Sequence, residues 1–199
     1  LAALIGKGAL GQKTRCGIFR KDGRAIKVLD LASQDYRESA GDIDPTVLAI
    51  LKNRHPAEKF AQLRASEHPQ AQFLWAIFRD IFHYAAFHLA DIADNARDLD
   101  FAMRWGFGWS QGPFESWQAA GWREIAEAVK ADIDAAQAMS PAPLPSWVFG
   151  RVADAGVHGP QGSYSASSDA YQPRSALPVY QRQIFPERVL GEKAASGQT

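Results

Sequence analysis

The sequence predicts a mainly helical fold with a small β-hairpin extension and an extended C-terminal tail. Three observations carry this prediction. The stretch from about Gln70 to Asp94 is apolar on nearly every side, as in a helix buried centrally in a domain. Prolines and glycines punctuate the chain as helix starts and stops, at Asp44-Pro45, Pro56, Pro113, Gly121 and Gly156. A hairpin turn signal, Asp22-Gly23, stands near the beginning with apolar residues on both sides.

Composition narrows the class of protein. The 199 residues allow one domain of ordinary size plus extensions, and 46% hydrophobic with 22% charged residues is a globular balance. The 22 basic and 22 acidic residues cancel and form no basic stripe, which argues against nucleic acid as a partner. The single cysteine, Cys16, excludes a disulfide framework within one chain and reads as an inert small residue rather than a nucleophile. The N-terminus shows no charged region or cleavage site of a secretory signal, so a cytoplasmic location is expected. The chain opens at Leu1 directly on an apolar turn and so reads as a fragment of something longer.

Leu1 to Ile5 reads as the last turn of a helix ended by Gly6 and Gly8. Ile18 and Phe19 precede the Asp22-Gly23 turn and Ile26, Val28 and Leu29 follow it, giving the two strands of the hairpin. Asp44 is the expected N-cap of a helix with Pro45 in its first position and Val47, Leu48, Ile50 and Leu51 on its apolar face. A second short helix starts near Pro56 and turns Phe60 and Leu63 inward. In the long helix that follows, Arg79 and Asp80 sit mid-segment, with His83, His88 and Asp91 beyond them; these are too many ionisable groups for a membrane span. Asp98 is expected to cap a short helix running through Arg104, with Gly106 as its stop. Pro113 opens the next helix, Glu115 complements its N-terminus and Gly121 ends it. Trp122 to Met139 is alanine-rich, with Ile125, Val129 and Ile133 four apart. A stiff proline-rich connector over 140–145 leads to a last helix from Trp147 to Ala155, stopped by Gly156. The polar remainder reads as an extended tail to Thr199.

Candidate chemistry is sparse. GKGALGQKT, from Gly6 to Thr14, approaches a phosphate-binding P-loop, but Gln12 places the lysine one residue late, and neither a buried strand before it nor a helix after it is predicted. A glycine helix stop with a tight turn is the better reading. His83 and His88 lie five apart and share a helix face poorly. His83 reads as a core-edge histidine beside Asp80 or Arg79; His55, His68 and His158 fall beside prolines or glycines in expected loops. No metal-ligand spacing or Ser-His-Asp pattern stands out. Trp105-Gly-Phe-Gly-Trp109 reads as packing around a tight turn rather than a base-stacking platform.

Two stretches echo each other: Gly8-Ala-Leu-Gly11 with Gly17-Ile18-Phe19, and Gly156-Val-His-Gly159 with Gly162-Ser163-Tyr164. Each follows an apolar helical turn and precedes a possible hairpin, as if one unit ended and a second unit with the same ending followed. The stretch DLDFAMRWGFGWSQGPFESWQAAG resembles the C-terminal helical domain of 3-hydroxyacyl-CoA dehydrogenases through Asp98, Leu99, Asp100, Ala102, Met103, Gly106, Gly108, Gly112, Pro113, Phe114 and Gly121. Gly8, Leu10, Gly11, Lys13, Thr14 and Gly17 to Phe19 resemble the ending of that same domain. The order, an ending followed by a full copy, resembles multifunctional bacterial β-oxidation enzymes with two such domains after an NAD-binding Rossmann domain, in one subgroup followed by an enoyl-CoA hydratase.

The resemblance implies a multi-helical domain like the C-terminal domain of 6-phosphogluconate dehydrogenase. It implies four segments: 1–19 closing a preceding helical domain, 20–69 a hairpin and short-helix linker, 70–165 the second helical domain, and 166–199 a tail. NAD and an acyl-CoA substrate belong to the parent enzyme. The preceding helical domain and the Rossmann domain are the implied partners, and self-association is expected of the exposed interdomain surface. The family's catalytic His and Glu lie on the Rossmann domain, so no catalytic, NAD-binding or metal residue is expected here. Lys13 and Thr14 would at most lie near substrate; Asp98, Asp100, Gly106, Gly108, Gly112, Pro113, Phe114 and Gly121 would be structural or interface residues. Departures sharpen this. Trp75-Ala76 stands where the first helical domain carries an Asn-Arg pair near substrate, Gln118 stands where an aspartate is common, and Arg15 replaces the glycine after Lys-Thr. The alternatives are a stand-alone assembly module derived from this fold, and a helical domain that binds acyl-CoA by itself.

Overall fold

The computed structural model describes residues 2–39, 41–174 and 176–177, and the tail expected beyond 177 lies outside the described residues. The chain divides into two units, Leu1–Ile43 and Asp44–Thr199. The fold is mainly helical, with seven α-helices and two small three-stranded antiparallel sheets among the described residues.

The first unit begins with α1 (Ala2–Gly6), closed by Gly8 at φ 72°. After a 3-10 turn over Gln12–Thr14 come β1 (Phe19–Asp22), β2 (Ala25–Leu29) and β3 (Tyr36–Glu38), paired in that order. Asp22 pairs with Ala25, so the hairpin loop is Gly23-Arg24, with Gly23 at φ 60°. The third strand extends the expected hairpin, and its Tyr36 hydroxyl donates to the Gly17 carbonyl. The expected 20–69 segment is thus shared between the units: its hairpin belongs to the first and its short helices to the second.

In the second unit, α2 (Pro45–Leu51) and α3 (Pro56–Ala65) begin at the prolines the sequence marks. Asp44 caps α2 by accepting from the Thr46 N–H at 2.8 Å, and Phe60 and Leu63 of α3 are buried. α4 (Pro69–Ile92) is long but not buried all round. Phe82, Ala85, Ala86 and Leu89 face the core, whereas Phe73, Ile77, Tyr84 and Phe87 are exposed. Its mid-helix Arg79 is buried and held by Asp80 at 2.9 Å and Asp132 at 3.2 Å. No helix among the described residues is long and apolar enough to cross a membrane.

α5 (Ala96–Phe107) is capped by Asn95, whose side chain accepts from the Arg97 and Asp98 N–H groups. Asp98 is therefore not the cap but an acidic residue in the first turn. Gly106 does not stop the helix; Gly108, left-handed at φ 70°, ends it two residues later. α6 (Pro113–Asp134) joins the two helices expected on either side of Gly121, which bends it through φ 98° and ψ 95° instead of ending it. The helix expected over 147–155 is split by Gly150 into a 3-10 turn at Ser146–Phe149 and α7 (Val152–Ala155). Past Gly156, the expected loop-like chain forms β4 (His158–Gly159), β5 (Gly162–Ser165) and β6 (Ala170–Gln172). Burial of Tyr164 explains why: its ring packs on Trp147 at 5.0 Å and draws the polar strand onto the helices. A file of rings runs from Phe82 through Trp117, Trp122 and Trp147 to Tyr164, with successive centroids 5.4, 4.2, 6.0 and 5.0 Å apart.

Candidate functional site

The most chemically loaded cluster lies where α5, the start of α6 and the β4–β5 hairpin meet. On α5, Ala96, Leu99 and Met103 mark the inner face by their spacing, and Asp100 stands on that face. Its carboxylate caps α6: Oδ1 accepts from the Phe114 N–H at 2.8 Å and Oδ2 from the Glu115 N–H at 3.0 Å. Oδ2 also meets His158 Nε2 at 2.7 Å, and His158 Nδ1 meets Ser163 Oγ at 2.8 Å. The Asp100 and His158 side chains are both fully buried, and Ser163 is 1% exposed. Burial pushes the Asp100 carboxyl above its ordinary range, while the His158 hydrogen bond and charge and the Phe114 N–H oppose the rise.

The surroundings are built to hold this cluster. Glu115 Oε2 accepts from the Gly112 N–H at 2.9 Å, the reciprocal half of a capping box, and Arg104 lies 3.5 Å from its other oxygen. Gln118 accepts from the Val157 and His158 N–H groups at 2.7 and 3.0 Å and donates to the His158 carbonyl at 3.0 Å. An aspartate there could accept but not donate, so glutamine serves β4 with one more bond. Gly112 is required by space: a Cβ on it would lie 2.3 Å from Asp100.

Asp, His and Ser are the residue types of an acyl-transfer triad, yet this arrangement does not do that chemistry. All three are closed off from solvent, and no nucleophile or base is presented to a substrate. The network instead locks helices to sheet. Sequence spacing missed it because 58 residues separate Asp100 from His158. The expectation of His158 in a loop is corrected: it sits on β4, buried and bonded at both ring nitrogens.

The other anticipated residues scatter. Lys13 and Thr14 lie in the first unit, where the Thr14 hydroxyl accepts from the Leu10 N–H at 2.8 Å and bonds the Cys16 carbonyl at 2.9 Å, so it is committed to its own turn. Asp98 is exposed and bonds the Asn95 amide at 3.1 Å. Gly106 and Gly108 have open space where a Cβ would go. Pro113 opens α6, and Phe114 is fully buried against Trp122 and Trp147. The aromatic turn does not pack as expected: Trp105 is 63% and Phe107 74% exposed, because only Gly112 of the three glycines sits against another element. No cluster of metal-ligand side chains occurs among the described residues.

Comparison with known proteins found one informative relative. The chain is 35% identical over 124 residues, 62% of its length, to a protein of Bacillus subtilis (strain 168) described as a probable 3-hydroxyacyl-CoA dehydrogenase. The match spans 16% of that protein, so the chain is similar to a part of it. No protein-family model matches, and no solved structure matches significantly. The resemblance read from the Asp98–Gly121 motif is borne out by this relative.

Proposed function

We propose that this chain is a non-catalytic helical part of an NAD-dependent 3-hydroxyacyl-CoA dehydrogenase of fatty-acid β-oxidation, supplying a substrate-side or dimerisation-type domain. The observation that carries the reading is the dehydrogenase relative, 35% identical over 124 residues, taken with the burial of the motif residues Asp100, Gly112 and Phe114 in a purely structural lock. The described residues do not fit a dinucleotide. Their sheets are antiparallel, with no glycine-rich strand-to-helix turn to hold a pyrophosphate, so no step of the reaction is assigned to them. In this reading a Rossmann domain elsewhere in the parent brings NAD and the catalytic pair, residues 1–19 close a preceding helical domain, and the setting is cytoplasmic. The test is the chain with acetoacetyl-CoA and NADH, followed by loss of reduced nicotinamide. No turnover is expected from the chain alone; measurable turnover sinks the non-catalytic reading.

A second reading, an assembly module, is favoured by one feature: Phe73, Ile77, Tyr84 and Phe87 leave an apolar stripe of α4 in solvent. Sedimentation velocity separates the two. Concentration-dependent self-association that Phe73→Glu abolishes supports assembly, and a strict monomer argues against it.

A further inference from the structure

The two glycine motifs that echo each other in the sequence also fold alike. Each closes a short helix with a glycine at positive φ, Gly8 at 72° after α1 and Gly156 at 80° after α7. The chain then turns back antiparallel, with Gly11 opposite Cys16 in one motif and Gly159 opposite Gly162 in the other. A strand pairs with the next one in both, Phe19 opposite Val28 and Tyr164 opposite Tyr171.

Their burial is opposite. In the second unit helical elements cover the motif: His158 meets Asp100 of α5 and Gln118 of α6, and Tyr164 stacks on Trp147. His158, Ser163 and Tyr164 are each 1% exposed. In the first unit Leu10, Ile18 and Phe19 hold the corresponding places and are 62%, 51% and 60% exposed. The more apolar of the two surfaces is thus the one left in water, the mark of a contact surface without its partner. Ile5 and Ile26 join it in lining an open groove of about 1180 Å³.

The groove carries charge of one sign. Arg15 and Lys21 are the ionisable residues on its wall, and neither is in an ion pair among the described residues. The carboxylate next to Lys21, that of Asp22, is taken by Lys27 at 2.6 Å.

We infer that this groove docks an amphipathic α-helix with an apolar stripe and acidic flanks. Helices cover the same motif in the second unit, a helix lays its stripe into a groove of this kind, and acidic flanks answer Arg15 and Lys21. A second copy of the groove is the wrong occupant, because a symmetric pairing sets these cations against themselves. This docking rests on the reading of residues 1–19 as the close of a helical domain, and it gives the chemistry of what lies against them.

The test uses the full 199-residue chain and two synthetic peptides, each with leucine at every third or fourth position in an alanine background, one flanked by glutamate and the other by lysine. Fluorescence anisotropy of the labelled peptides should show saturable one-to-one binding of the glutamate peptide, about tenfold weaker binding of the lysine peptide, and affinity that falls with added salt. Phe19→Ser with Ile26→Ser, both at exposed sites, should weaken the glutamate peptide by about tenfold or more. Arg15→Glu with Lys21→Glu should reverse the preference, a gain that a misfolded groove does not give. Binding by neither peptide, equal binding by both, an unreversed preference in the charge variant, or phosphatidylglycerol vesicles that hold the chain undisplaced by the glutamate peptide would each overturn this assignment. Absence of peptide binding leaves the non-catalytic reading standing, and turnover of NADH by the chain would sink that reading while leaving the groove's binding untouched.

Discussion

At the scale of single residues, three positions make this molecule readable in energetic terms. Gly112 has Asp100 where a Cβ would be, so Gly112→Ala forces the α6 cap apart and should cost about 3 kcal/mol, measured by urea unfolding. Removing His158 leaves the Asp100 carboxylate buried without its partner. His158→Phe should therefore cost about 3–5 kcal/mol, and a loss under 1 kcal/mol would contradict the pairing. His83 sets a pH dependence. Burial holds its pKa below the ordinary imidazole value; Arg79 and His88 add to the shift, and the Ala142 backbone and Asp80 oppose it. The unfolded chain then takes up the proton more readily than the folded one. Stability from this group is present above about pH 6.5 and drains away as pH falls from there toward the lower folded value. The melting temperature of His83→Leu should fall less between pH 7.5 and 5 than that of the parent; parallel slopes would assign the effect elsewhere. Asp100 was visible in the sequence only through a motif, because a carboxylate on an apolar face announces burial but not its partner. His158 was hidden altogether: glycine neighbours look like a loop until a distant helix claims the strand.

At the scale of elements, starts marked by proline were more legible than ends marked by glycine. Proline at the first helical position fixes φ and leaves little choice, so α2, α3 and α6 begin where the sequence marks them. Glycine is weaker evidence. It permits a stop without enforcing one: Gly106 was passed over, Gly108 ended α5, and Gly121 became a bend. That bend keeps Trp117 and Trp122 stacked at 4.2 Å, with the Trp117 indole N–H donating to the Trp122 carbonyl at 2.9 Å. At φ 98° a side chain is strained, and a Cβ would come within 2.9 Å of the Glu124 carboxylate. Gly121→Ala should cost about 2 kcal/mol in thermal unfolding, most of it from the backbone, since the Glu124 side chain can swing away.

At the scale of the whole molecule, the two units differ in what holds them. The buried apolar core runs from Val47 to Tyr164 and belongs entirely to the second unit, while Ile5, Leu10, Ile18, Phe19 and Ile26 of the first are exposed. Residues 44–199 alone should keep the helical circular dichroism and melting temperature of the full chain, and a peptide of residues 1–43 should show no cooperative transition. A drop of more than a few degrees in the shorter chain would mean that the first unit stabilises the second. The mainly helical class followed from periodicity, but the closing sheet showed only as the possible hairpin marked by the glycine echo, since its strands are short and polar and are held by contacts far away in sequence. The Asp100–His158 lock has a consequence for how the protein is made. A growing chain can form α4, α5 and α6 early, but the carboxylate that caps α6 finds its imidazole only after β4 and β5 have left the ribosome. The domain's final closure therefore waits on strands made after all of its long helices, and a chain stalled between them would present that open seam to the cell's quality control.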